Sequence, residues 1–168
     1  ENLVEHRGLL MQWKLSQNIS HNKYYYGWRV IRSAMQYFFT RTGPLAAAAY
    51  ELWSTFKTSP GLNRPDAQFL LAPFSFDFDK NRQDVERFPG MHLVTYPLRP
   101  TSKGSIHITS ADPNAIPALV TNYRDTQEDR DTMIGAVKVA RHWATQPPLA
   151  DYVDIETMPG PDYDTDDK

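Results

Sequence analysis

The residues best suited to move protons or bind metal are five histidines, His6, His21, His92, His107 and His142. No two of them stand as HxH or HxxxH, and no acids flank them at ligand spacing. Each is read as a surface or turn residue. Asp162, Asp164 and Asp166 imitate the start of a calcium loop, but the glycine and the terminal acid of such a loop are missing. They read instead as acids at the start of a helix. Glu51 is different. It sits in the apolar run YELWSTF, where a carboxylate either faces water or is buried with a raised pKa beside a partner. Solvation is the default expectation. No Ser-His-Asp order follows from spacing.

Negative evidence narrows the chemistry further. None of the eight glycines is spaced as GxG, so neither a dinucleotide fingerprint nor a P-loop exists. RPTSKGSIHITSADP (99–113) could be a phosphate cradle only if a strand ran straight into a helix, and none follows. There is no cysteine, which excludes disulfides and thiolate chemistry, fits a reducing compartment and favours the cytoplasm. A formal charge of −2 gives no electrostatic case for nucleic acid. No apolar run is long enough for a membrane span. The opening ENLVEH and the closing DYDTDDK both look cut, so a piece of a longer protein is expected.

The elements that must position these groups follow from periodicity. In 8–15, Leu9, Met11, Trp13 and Leu15 share one face of a strand, with Gln12 and Lys14 opposite. Tyr24, Trp28, Ile31, Met35 and Phe38 make one helical stripe, with Arg29, Arg32 and Gln36 across from it. Gly43 and Pro44 are expected to stop that helix. Strands are expected over 49–57, 67–76 and 91–98, with a solvated loop over 77–90. A hairpin should join 91–98 to 105–110, with Ile106 and Ile108 facing in. The stretch 111–123 reads as an extended, proline-interrupted crossing.

A second helix spans 125–146, with Thr126 and Asp129 as a capping box. Met133, Ala136, Val137, Ala140 and Trp143 form its buried stripe. The tail from 149 reads as proline- and acid-rich. Together these predict an α+β domain, an antiparallel β-sheet with helices packed on one side. Nine tyrosines, eight phenylalanines and four tryptophans can fill its core and wall an apolar pocket.

The run RPTSKGSIHITSADPNAIPALVTNY resembles a signature of the glucose–methanol–choline (GMC) oxidoreductases, of the form RPxSxGxVxLxSxDPxxxPxIxxNY. Arg99, Pro100, Ser102, Gly104, Ile106, Ile108, Ser110, Asp112, Pro113, Pro117, Asn122 and Tyr123 fall on it. ENLVEH, GPLA at 43–46, RPD at 64–66 and GAVKVAR followed by PGP recur in the family's order. The resemblance covers nearly the whole chain.

It implies that residues 1–168 are one FAD-linked-reductase-type substrate-binding domain. The FAD-binding domain and the catalytic histidine would lie in polypeptide outside this chain. It implies hydride transfer from a small-molecule alcohol to flavin, and a chain that is inactive and binds no flavin tightly by itself. By the same resemblance Glu51 faces the substrate cavity, and Phe69, Leu71 and Tyr96 sit on strands that line it; Tyr50 and Trp53, aromatic residues on an expected strand, are further pocket candidates. A stand-alone binding module and a flavin-containing lyase of the same family are the alternatives.

Overall fold

A computed structural model describes residues 1–78 and 84–166. Contacts divide the chain into two compact units. One comprises Glu1–Leu9, Thr55–Gln68 and Thr95–Val139. The other comprises Leu10–Ser54, Phe69–Val94 and Ala140–Lys168. The fold is α+β, an antiparallel sheet with two helices. Its five strands run in the order β2 (Leu52–Phe56), β3 (Ala67–Ala72), β6 (Gly90–Pro97), β1 (Leu9–Leu15), β9 (Val153–Met158).

Strand β1 follows its alternation: Met11, Trp13 and Leu15 are buried. Gln12 departs from expectation and is buried too. Its carboxamide donates to the Phe76 carbonyl at 3.1 Å and accepts from the Phe76 N–H at 2.6 Å. A buried amide with both ends paired incurs no desolvation penalty. Phe76 lies in β4 (Phe76–Asp77), which pairs with β5 (Asp84–Val85). Asp77 and Asp84–Val85 of the expected 77–90 loop thus belong to a short ladder, and Gly90 begins β6; residues 79–83 lie outside the described residues. The long strand expected over 67–76 stops at Ala72, before Pro73, which has no N–H to donate to a ladder.

Strand β9 lies in the tail whose composition predicts no strand. It is an edge strand, antiparallel to β1, with only shallow burial, so its apolar alternation is weak. No helix begins at Asp162–Asp166; the chain forms turns there.

Helix α1 (Trp28–Thr40) forms after a 3₁₀ turn at Asn22–Tyr24. Its left-handed cap is Arg41 rather than Gly43, with the Arg41 N–H donating to the Tyr37 carbonyl at 2.9 Å. Only Ser33 of this helix is buried, and the apolar stripe faces solvent. Helix α2 (Gln127–Ala144) buries Met133, Ala136, Ala140 and Ala144 as its period requires.

The expected hairpin between 91–98 and 105–110 does not form. β7 (Ser105–His107) pairs instead with β8 (Ala118–Val120), inside the stretch read as a crossing. Ile106 is half-exposed and Ile108 almost fully exposed. The cause is the start of α2. Asp129 accepts from the Thr101 N–H at 2.8 Å and the Ser102 N–H at 2.9 Å. Ser102 Oγ accepts from the N–H groups of Asp125 and Thr126. RPTSKG is therefore held on the helix N-terminus, and the chain cannot turn back onto β6. Half of the capping box survives: the Asp129 N–H donates to Thr126 Oγ1 at 3.3 Å.

Candidate functional site

Side chains alternate along β6, so Met91 and Leu93 face one way and His92 the other. On the Met91 side, Trp13, Leu52, Phe69, Leu71 and Trp143 join them around an apolar cavity of about 460 Å³. Phe69 is buried there and meets Trp143 edge-on at 4.4 Å. Two of the expected wall residues, Phe69 and Leu71, belong to this cavity.

Tyr50 belongs to the His92 side. His92 is fully buried, contrary to the surface or turn position expected for it. Its Nδ1 lies 2.6 Å from the Phe74 carbonyl and its Nε2 3.3 Å from the Tyr50 hydroxyl. Phe74, Phe76 and Tyr50 surround the imidazole with ring centroids at 4.9, 4.8 and 5.4 Å. Burial lowers the His92 pKa, against the opposing pull of the Phe74 carbonyl. Burial also raises the Tyr50 phenol. Tyr25, whose ring packs on Phe74 at 5.5 Å, is raised by burial and then by the nearby Glu51 carboxylate. Glu51 itself is exposed, the solvated default, and Trp53 is exposed as well.

Tyr96 falls in the other unit, where it stacks on His6 at 4.9 Å. Within one unit, Tyr50 and Glu51 lie beside the imidazole cluster, Phe69 and Leu71 line the apolar cavity, and Trp53 is exposed. Sequence reasoning missed His92. The available signal was a histidine inside the run of β-formers MHLVTYPL, where a solvated side chain would interrupt the burial of its neighbours.

The unit that holds Tyr96 carries a polar cleft of about 600 Å³ lined by Arg64, Arg99, Asp66, Glu128 and Asp131, among others. Two of its charges are engaged by neighbouring groups. Arg99 donates to the Pro65 carbonyl, and Asp66 accepts from the Thr58 N–H and hydroxyl. Among the described residues, no group of three or more His, Asp or Glu is placed to hold a metal.

Residues 100–168 match the family model described as GMC oxidoreductase. The chain is 36% identical over 136 residues to the fatty acid photodecarboxylase of Chlamydomonas reinhardtii, covering 74% of this chain and 22% of that protein. It is 27% identical over its whole length to the oxygen-dependent choline dehydrogenase of Staphylococcus aureus, covering 29% of that protein. It thus spans about a quarter of the length of these curated relatives. A formate oxidase structure from Aspergillus oryzae superposes with a TM-score of 0.85 at 16% identity, over 99% of this chain and 34% of that one. A pyridoxine 4-oxidase gives 0.63 at 13% identity, over 94% and 28%. The chain is thus similar to the GMC oxidoreductases, over residues 100–168 by the family model and over its whole length by the choline dehydrogenase, and its fold agrees.

Proposed function

We propose that this chain is the substrate-recognition part of an FAD-dependent alcohol oxidoreductase that converts an alcohol to an aldehyde. The family match carries this reading. Its support in the structure is that signature residues have definite local roles. Ser102 Oγ accepts from the N–H groups of Asp125 and Thr126 just before α2, Asn122 donates to the Lys103 carbonyl at 3.0 Å, and Gly104 has no room for a side chain.

The residues of this chain do not fit the phosphates of FAD, because no glycine pair offers the close backbone approach that a pyrophosphate needs. Bound elsewhere in the protein, the flavin would supply the hydride acceptor. This chain would then choose the alcohol and exclude water, using the aromatic cluster around His92 and the Glu51 carboxylate. In the full-length protein, an alcohol should bleach the yellow flavin absorbance in the dark and yield aldehyde. The photodecarboxylase relative, at the higher of the two identities, favours a second reading, a lyase acting on a carboxylic acid. Carbon dioxide released from a fatty acid only under light, with no bleaching by any alcohol, would establish that reading instead. A full-length protein without flavin would be a binding module.

Glu51→Gln in the full-length protein is expected to weaken turnover of a trimethylammonium alcohol by about tenfold, the scale of a hydrogen bond or contact to a charged group. The uncharged analogue with carbon in place of nitrogen should change little. Equal losses in kcat/KM for the two would place Glu51 outside the substrate site.

A further inference from the structure

The surroundings of His92 determine which way its hydrogen bonds run. A carbonyl can only accept, so the short contact to Phe74 requires the proton on Nδ1. Burial favours the neutral ring, so Nε2 keeps a lone pair and must accept. Its partner at 3.3 Å is the Tyr50 hydroxyl, which therefore donates. A phenol has one proton. With that proton directed at His92, the Tyr50 oxygen has only lone pairs left to offer. Tyr50 is 37% exposed, so a ligand can reach it, while His92 is 0% exposed and cannot touch one.

We propose that His92 is a positioning residue that makes Tyr50 a hydrogen-bond acceptor, and that Tyr50 binds a second donor group on the substrate, a hydroxyl. The proposal rests on the reading that this part of the chain meets the substrate. It deepens that reading by naming a class: diols over plain alcohols, and either of these over carboxylates, whose oxygens would face an oxygen.

The test uses the full-length, flavin-loaded protein. Three straight-chain probes of one length, a diol, a mono-alcohol and a carboxylate, are titrated by calorimetry, and KM and kcat are measured for both alcohols. The diol should bind about fivefold tighter than the mono-alcohol, one net hydrogen bond's worth. The carboxylate should bind weakest. Tyr50→Phe and His92→Phe should each remove the advantage of the diol, through KM more than kcat, and the double variant should lose no more than either single one. His92→Gln should retain the preference, because its carboxamide can donate to Phe74 and accept from Tyr50. Additive losses, equal losses for both alcohols, or tight carboxylate binding would overturn the proposal. Calorimetry needs no turnover, so the two readings can fail separately. A protein that prefers the diol but reduces no flavin would end the oxidoreductase reading alone. One that oxidises alcohols without preferring the diol would end this inference alone.

Discussion

Asp129→Ala is expected to lower the unfolding free energy by about 3 kcal/mol, because it strands the buried Ser102 N–H and removes the part-buried bonds to Thr101. Asp129 is 4% exposed. Its carboxylate accepts from the N–H groups of Thr101 and Ser102 and from the Thr101 hydroxyl at 3.1 Å. A single side chain thus replaces the ladder that RPTSKG would otherwise need, and it fixes where the chain leaves β6. A urea melt of the variant against the parent checks the magnitude.

The pH dependence carries a definite sign. Burial pushes the Asp129 carboxyl up, but the hydrogen bonds from Ser102 and Thr101 outweigh it, and the folded pKa is lowered. A lowered folded pKa means a contribution that is complete above the unfolded value, about 3.9. The contribution disappears as pH falls from there through the folded pKa. Asp129→Asn, which cannot titrate, should show a flatter stability profile below about pH 4 than the parent. Parallel profiles would mean that this carboxylate is not what holds the segment.

The same residues explain how far the sequence could be read. Period-two alternation locates β1, a run of β-forming residues locates β6, and the three-and-four spacing locates α2. Partner choice is not legible. Whether 105–107 pairs with β6 or with β8 depends on Asp129, more than twenty residues away in the sequence. Alternation alone assigns Gln12 to water, because a polar residue on an alternating strand usually faces it. It is buried because Phe76 supplies a matched donor and acceptor.

The site is legible in composition but not in arrangement. Tyr50 and Phe69 are both aromatic residues near strands, and periodicity does not say which face of a sheet a ligand uses. His92 escapes notice because sequence shows neither the Phe74 carbonyl nor the Tyr50 hydroxyl that together make a fully buried imidazole tolerable.

Gly104→Ala is the second large effect expected, a loss of about 3 kcal/mol, at the upper end for overpacking. A methyl there would lie 2.0 Å from the Val120 carbonyl oxygen and 2.9 Å from Thr121 Cα. Both obstacles are backbone, so no rotamer change relieves them. Nor can Gly104 retreat easily. It exchanges two hydrogen bonds with Leu3, at 3.0 and 2.8 Å, and the adjacent Lys103 carbonyl is held by Asn122. The strain should therefore open the β7–β8 ladder. Faster hydrogen exchange at Ser105–His107 and Ala118–Val120, with a lower melting midpoint, is the expected signature. Gly61→Ala is the control, because Gly61 has a left-handed φ of +87° but nothing within 4 Å of the place an added methyl would take. It should cost only about 1 kcal/mol of backbone strain and leave the ladder exchange unchanged. If the two variants lost the same stability, backbone conformation rather than the Val120 contact would govern Gly104, and the steric reason given for glycine at this signature position would be wrong.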